Sequence, residues 1–566
     1  MRRYHHLLAL LSVLAVTIPL YAIGIDWGLP NHYSYAPDAI SPLRAIDAAR
    51  SYFDSDRRWA DKYPPGHFYL TALVCKPFFS AVKTNPGGEE FRQATNAVIE
   101  GSKRRGWARV ENQVEYLKTF ANFRPQMTVL ILAGRLITLV MGVLAVVFLY
   151  LIGRALRGVI AGLSAALIAA SYSPMVYHAH TMNVDVPYVF WLMVAFWSLV
   201  CALRSGRTLA FIVTGAAGAM AVATKDQAYG VLLAAPLLFL ICWWRPASLG
   251  LEASGHRSFP VRGVALALLS FVVVFVVANN LLFNWEGFRD HLHYIRTEGV
   301  EPFRQQDATP KGHVFLLLQA AGLVFTTMPW LGVPHIGAVP LAVGAAIGLV
   351  RRPAPTVFAL LPALTFYCSF IAVIGYCYSR FLIPVIFFLA LPAGYLIQDF
   401  TAIRRARGWL GAAAGILVVV PLIASGATIL RAFLDDPRER ATAWLAEHLE
   451  PGDKVLIYAD YLFTAPRLPD GTDFEVVTLR QYPGGQADLE VVGRGGPEVL
   501  TSMPIAYVIV SSFHPILLQE APVVGDEKAI FGRTVRVAAV FLRSFDHPVL
   551  DQIRVNPTVV IYRLEE

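Results

Sequence analysis

A polytopic α-helical membrane protein with a C-terminal soluble α/β domain is the fold class this sequence predicts. Three observations lead there. The 566 residues are 56% apolar, with a mean hydropathy of +0.51, beyond the range of ordinary soluble chains. Uncharged runs such as Leu7–Ile25, Gly263–Phe283 and Gly408–Leu430 are long enough to cross about 30 Å of hydrocarbon. The apolar runs then cease near residue 430, and a charged helix-and-strand pattern follows.

The first run follows Met1-Arg2-Arg3, which suits a signal peptide or a signal anchor. No small-residue cleavage site follows it, so it is read as a retained first helix. Basic clusters orient the rest. Arg154 with Arg157, Arg204 with Arg207, Arg245 with Arg257 and Arg262, Arg351-Arg352 and Arg404-Arg405 with Arg407 all lie in short gaps between apolar runs. The positive-inside rule makes these gaps cytoplasmic. The spans consistent with them are 7–25, 127–151, 159–177, 186–203, 209–224, 227–244, 261–283, 335–350, 355–376, 381–398 and 408–430. About eleven transmembrane helices follow, with the amino terminus inside and the tail outside.

Two apolar runs stand apart. His313–Trp330 as a full span would put Arg351-Arg352 on the wrong side, so an outer-face juxtamembrane or re-entrant helix is expected there. Phe68–Val82 is short and holds Lys76 and Pro77, which places it in the first outer loop, 26–126. The later part of that loop, Thr84–Arg124, is polar with helix-like stretches. Its Lys103-Arg104-Arg105 run does not oppose an outer location, because long loops cross regardless of charge. The expected organisation is a membrane domain over 1–430 and a soluble extracytoplasmic domain over 431–566. In the latter, Pro437–Leu449 reads as a helix, Pro451-Gly452-Asp453 as a turn, and Lys454–Tyr458, Ala506–Val510, Val535–Phe541 and Thr558–Tyr562 as strands. No nucleophile elbow, phosphate loop or metal cluster is visible in this tail.

The net charge of +8 averages a basic membrane part and an acidic tail. Cytoplasmic anchors plus a soluble domain give that balance without nucleic acid. The five cysteines, Cys75, Cys201, Cys242, Cys368 and Cys377, all sit in apolar stretches. They form neither a disulfide framework nor a paired-cysteine zinc motif, and read as small core residues.

With this topology, ionisable residues gather at the outer helix ends. The first loop supplies Asp38, Lys62 and His67. His178, His180 and Asp185 lie between the third and fourth spans, Lys225-Asp226 join the fifth and sixth, and Arg380 enters the tenth. An acid at the bilayer centre costs ~2.5–3.5 kcal/mol, so acids at helix ends facing one compartment suggest a site. Lys225, Asp226 and Arg380 are equally readable as interfacial anchors. His178 and His180 suit interfacial hydrogen bonding better than metal ligation, although a His-x-His pair near two acids leaves a divalent cation open. Asp38 lies among Tyr33, Tyr35 and Pro37 directly after a span, where no anchor is required.

These residues resemble a known group. Leu29-Pro30, then Tyr35-Ala36-Pro37-Asp38, then Lys62-Tyr63-Pro64-Pro65-Gly66-His67-Phe68-Tyr69-Leu70 are similar to the first loop of GT-C glycosyltransferases. More narrowly, they resemble protein O-mannosyltransferases and lipid A aminoarabinose transferases (the glycosyltransferase family 39 type). Gly134-Arg135-Leu136, Asn183-Val184-Asp185, Ala223-Thr224-Lys225 and Ser379-Arg380-Phe381-Leu382-Ile383-Pro384 also fit the group's pattern, as does Asp436-Pro437-Arg438 through Trp444-Leu445. Two departures stand out: Asp38 is followed by Ala39 rather than a second acid, and Gly66 replaces the usual leucine after the prolines.

The resemblance implies a multi-pass enzyme of a bacterial inner membrane that builds the cell envelope. It would move a sugar from a polyprenyl-phosphate donor to an acceptor hydroxyl, on a protein or glycolipid, at the outer face. Phosphate is already a good leaving group, so this chemistry needs cations to hold the developing charge rather than a general acid. Arg380, Lys62 and Lys225 are expected at the donor phosphate. Asp38 is expected as the carboxylate base, with Asp185 orienting acceptor or sugar. Tyr35, Tyr63, His67, His180 and Tyr378 are expected along the sugar and acceptor groove. A single displacement would invert the anomeric centre. No cofactor is assigned, and a divalent cation stays open. A lipid-linked glycan polymerase or ligase would share this topology but rely on outer Arg and His residues. A transporter or flippase would carry mid-span charges and repeat-related broken helices, which the sequence does not show.

Overall fold

A computed structural model describes residues 2–36, 38–54, 62–84, 87–105, 110–244, 261–297, 300–328, 336–401, 408–459, 462–481, 487–491, 505–512, 535–542 and 556–564. Helices dominate up to residue 448, and a six-stranded sheet follows. Each expected span falls on helix. Among the described residues, six helices are long and apolar enough to cross a membrane: Tyr4–Ala22, Glu115–Leu156, Asp185–Ser205, Val261–Ala278, Pro353–Ile374 and Ser379–Thr401. A seventh results if the bent pair Val159–Ala170 and Ser173–Ala179 is one span. Thr208–Thr224, Ala228–Ile241 and Val339–Arg351 are apolar but shorter. The run expected near 313–330 is the helix Pro310–Thr327, and the run expected at 68–82 is the helix Gly66–Thr84.

The chain divides into two compact units. The first comprises 1–25, 45–74 and 134–430; the second comprises 26–44, 75–133 and 431–566. In the first unit, Phe196 of the helix Asp185–Ser205 meets Phe388 of the helix Ile383–Thr401 edge-on, with ring centroids 4.7 Å apart. Outward faces are apolar. Leu268, Leu269 and Val272 are each more than half exposed on the helix Val261–Ala278, a face that suits hydrocarbon rather than water. The basic residues between the apolar runs are held by neighbouring helix ends and by one carboxylate. Arg204 donates to the Ala155 carbonyl at 2.6 Å. Arg157 pairs with Asp399, which Arg352 also approaches at 3.7 Å. Cations at helix C-termini satisfy carbonyls and oppose the macrodipole.

In the second unit, the strands are β1 (Lys454–Ala459), β2 (Asp473–Gln481), β3 (Ala487–Val491), β4 (Ile505–Ser512), β5 (Val535–Phe541) and β6 (Thr558–Leu564), in the order β3-β2-β1-β4-β6-β5. The pairs β1–β2 and β1–β4 are parallel, and the remaining pairs are antiparallel. Strand alternation puts Val455, Ile457, Tyr507, Ile509, Val559 and Ile561 on one face, packed with Ala441 and Leu445 of the helix Pro437–His448. β2 and β3 add to the four strands expected from sequence. Asp436 caps this helix by accepting from the Arg438 amide at 2.9 Å.

Candidate active site

The first unit holds a buried ion pair built from two helix ends. Asp185 opens the helix Asp185–Ser205, where a carboxylate complements the helix dipole. Its backbone N–H donates to Asn183 Oδ1 at 2.9 Å, which turns the chain into the helix. Lys225 ends the helix Thr208–Thr224 in an extended conformation. A lysine there ordinarily reaches back to the last carbonyls; this one instead puts Nζ 2.5 Å from Asp185 Oδ1. Both side chains are at most 3% exposed. His178 Nδ1 stands 4.0 Å from Asp185 Oδ2 and is hydrogen-bonded by the Asn183 amide.

Aromatic rings wall this pair. Lys225 Nζ lies 5.3 Å from the ring centroids of Tyr188 and Phe381 and 5.9 Å from that of Tyr63. Tyr188 is one helical turn after Asp185, on the same face. The two flanking cations share these rings. Lys62 Nζ is 5.0 Å from the Tyr63 centroid, and the Arg380 guanidinium is 5.7 Å from Phe381 and 5.3 Å from Tyr378. The sequence Lys62–Tyr63–Lys225–Phe381–Arg380–Tyr378 is therefore a continuous alternation of cations and π-faces, and the Arg380 charge reaches Asp185. Two of the residues expected at a phosphate, Lys225 and Arg380, thus act on one carboxylate, and the third, Lys62, is linked to them through the Tyr63 ring.

Close approaches hold the elements in register. A Cβ on Gly66 would lie 2.7 Å from the Ala223 carbonyl, so only glycine lets the Pro64-Pro65 turn sit against the end of the Lys225 helix. A Cβ on Gly134 would overlap the Met182 side chain, so that glycine seats the segment leading to Asp185. The 70° bend between Val159–Ala170 and Ser173–Ala179 falls at Ser171-Tyr172, just before Pro174, which lacks an N–H to continue the ladder. Tyr172 donates to the Ser379 carbonyl at 3.0 Å and so ties this bend to the Arg380 segment.

Two expected groove residues, His180 and His67, are fully buried. His180 places Nδ1 2.7 Å from the Val176 carbonyl and Nε2 2.8 Å from the Ile23 carbonyl, a clamp on the end of the first helix. Arg135 donates to the neighbouring Ile25 carbonyl at 2.7 Å. His67 is fully buried, and burial lowers its imidazole to about 4, keeping it neutral. Its ring nitrogens have no hydrogen-bond partner among the described residues.

Tyr35 and Asp38 belong to the second unit. The Arg438 guanidinium grips Asp436 through Nε–Oδ1 (2.9 Å) and Nη2–Oδ2 (2.6 Å) and stacks 3.9 Å from the Tyr35 ring centroid. Trp27 Nε1 donates to Asp436 Oδ2 at 2.9 Å. Tyr35 is fully buried, so its ring forms core rather than a groove wall. Asp38 is half-buried with φ +62°, a left-handed conformation that Asp tolerates better than most residues. Among the described residues, no group of three or more His, Cys, Asp or Glu side chains could hold a metal ion.

Sequence reasoning did not single out Tyr188, Phe381 or Asn183 as site components. Their adjacency was readable: Tyr188 is three residues after Asp185 on a helix, and Phe381 follows Arg380. Their convergence on Lys225 is tertiary and leaves no local pattern.

Residues 127–277, which include Asp185 and Lys225, match the family model of dolichyl-phosphate-mannose-protein mannosyltransferases. No curated protein sequence matches the chain significantly. Among solved structures, ArnT from Cupriavidus metallidurans in the apo state is similar over 97% of both chains, at 12% identity and a TM-score of 0.46. The same protein bound to undecaprenyl phosphate is similar over 97% of both chains, at 14% identity and a TM-score of 0.45. The apo Archaeoglobus fulgidus oligosaccharyltransferase is similar over 90% of this chain and 70% of its own, at 12% identity and a TM-score of 0.43.

Proposed function

We propose that this multi-pass membrane protein is a GT-C glycosyltransferase that moves a sugar from a polyprenyl-phosphate donor to an acceptor hydroxyl at the outer face of a bacterial inner membrane. The observation that carries the reading is the run of cations and rings around Asp185. Lys225 and Arg380 lie at one carboxylate there, and Lys62 joins them through the shared Tyr63 ring, an arrangement suited to an anion with a long apolar tail. The family-model match over the segment holding Asp185 and Lys225 supports the same class.

In this reading, Arg380 and Lys62 grip the donor phosphate, and Lys225 takes up charge as the sugar–phosphate bond breaks. Asp185 holds Lys225 in place and limits its attraction for the resting donor, so that the cation acts most strongly on the departing phosphate. Asp38 takes the proton of the acceptor hydroxyl as the new glycosidic bond forms, and displacement from the opposite side inverts the anomeric centre. Residues 431–566 form an extracytoplasmic domain.

The test is transfer of label from a panel of radiolabelled polyprenyl-phosphate sugars into bacterial membranes. Wild type should use at least one donor. K225M should lose about 100-fold or more, the scale of removing one stabiliser of developing charge. D38N should lose transfer while still binding donor. Transfer unchanged in D38N would remove Asp38 as the base, and no turnover of any donor by wild type would overturn the reading.

A further inference from the structure

The outward apolar face of the helix Val261–Ala278 does not stop where the helix stops. Phe53, Leu282, Phe283 and Trp285 continue it, each more than two-fifths exposed. We propose that this patch and the next helix, Trp285–Thr297, lie in the headgroup layer of the bilayer and fix the depth of the helix end that carries Lys225.

Local sequence ends the span and starts a separate element. Asn280 takes φ +56°. The Leu281 N–H donates to the Val276 carbonyl at 2.9 Å, and the Asn280 N–H donates to the Val277 carbonyl at 3.1 Å. That pair of bonds is a left-handed helix stop. Tyr52 also donates to the Val277 carbonyl, at 2.9 Å. Asn284 Oδ1 then accepts from the Gly287 N–H at 2.8 Å and caps the new helix.

The new helix is two-sided. Gly287 and His291 are buried, whereas Trp285, Arg289, Leu292 and Arg296 share the exposed side. The exposed rings are contiguous: Phe53, 76% exposed, meets Phe283 with centroids 4.9 Å apart, and Trp285 lies 5.8 Å from Phe288. Such a patch marks a contact, and three observations name lipid as its occupant. The patch continues a helix whose most apolar window is only 6% buried within the protein. Tryptophan belongs at the watery end of such a span. The charges of Trp285–Thr297 cancel, Glu286 and Asp290 against Arg289 and Arg296, so no strongly acidic or basic partner is matched. Arg289 and Arg296 extend toward water while Trp285 and Leu292 enter the acyl boundary.

The buried side of this helix reaches the cation site. His291 Nε2 lies 3.2 Å from Oδ2 of Asp226, the residue after Lys225. The depth of Trp285–Thr297 therefore sets the height of Lys225, and the phosphate of a polyprenyl lipid occupies the same headgroup layer. That consequence rests on the glycosyltransferase reading; the membrane contact does not.

The test uses full-length protein in phosphatidylcholine nanodiscs, with a fluorescent amino acid replacing Phe53, Trp285 or Leu268, one at a time. The quenchers are lipids carrying a nitroxide at the headgroup or deep in the chain, and iodide in the water. Labels replacing Phe53 and Trp285 should be quenched about threefold more by the shallow nitroxide than by the deep one, as expected ~5–10 Å into the headgroup and acyl boundary. The label replacing Leu268 should show the reverse order, which also confirms an inserted, folded protein. Exchanging about a third of the lipid for phosphatidylglycerol should change neither result, because the charges of the helix cancel. Labels at the patch that iodide quenches and neither nitroxide touches would overturn the contact and assign the patch to a partner protein or a second copy. Shallow quenching that appears only with phosphatidylglycerol would make the arginines, not the rings, the anchor and would overturn it too. No donor takes part, so each of these outcomes leaves the glycosyltransferase reading standing.

Discussion

Asp185 and Lys225 show why one residue in a buried pair cannot be judged alone. Each charge is out of water, and each is tolerated because the other stands 2.5 Å away. Removing one partner leaves an uncompensated buried charge, a loss of about 3–5 kcal/mol, whereas replacing both relieves the desolvation as well. D185N and K225M should each lower the thermal unfolding temperature of detergent-purified protein, and the double variant should recover most of the loss without recovering sugar transfer. A double variant as unstable as either single one would show that the surrounding rings, not the pair, hold the two helix ends. Both residues were legible in the sequence because charges at the ends of apolar runs are conspicuous. Their pairing was not, since Asp185 and Lys225 are 40 residues apart and belong to different helices.

At the scale of elements, apolar runs long enough to span a bilayer were readable from composition alone, and each falls on helix. What hydropathy could not show is where a helix bends or how closely two elements approach. The 70° break before Ser173 arises from Pro174 and the residues around it, and proline is common enough in membrane helices to give no unique signal. β2 and β3 escaped because their sequences, Asp473–Gln481 and Ala487–Val491, mix few apolar residues among polar ones, where a pattern of period two is faint. Gly66 looked like a departure from the family pattern, and the structure supplies its reason in the 2.7 Å approach to the Ala223 carbonyl. G66A must push the Pro64-Pro65 turn off the helix end. It should cost about 1–3 kcal/mol by overpacking and reduce transfer by displacing Tyr63 from Lys225. If thermal unfolding and transfer both stay at wild-type values, the turn is not held by this contact.

On the scale of the whole molecule, the second unit gathers three separated stretches, 26–44, 75–133 and 431–566. Helix and strand periods in the tail were legible, but a core shared with loop segments several hundred residues earlier leaves no periodic trace. Contacts within the unit show the sharing: Arg124 donates to the Leu468 carbonyl at 2.6 Å, Lys118 lies 3.5 Å from Glu475, and Arg467 donates to the Pro30 carbonyl at 2.5 Å. His32 is buried in this unit beside Tyr33 and Tyr116. Burial first, then the charge of Arg124, lowers its imidazole from 6.5 to about 3. The folded unit therefore keeps His32 neutral while the unfolded chain protonates it near its ordinary value. Between those limits the unfolded state binds more protons, so stability rises with pH: it is fully present above about 6.5 and is lost as pH falls toward 3, by up to ~1.4 kcal/mol per pH unit. Glu439 works in the opposite sense, because burial raises its carboxyl, so the comparison must be made within one background. Thermal unfolding between pH 7 and 4.5 should fall steeply with acid in wild type and less steeply in H32Q. Equal slopes would assign the acid sensitivity to the carboxylates of the unit and remove His32 as its source.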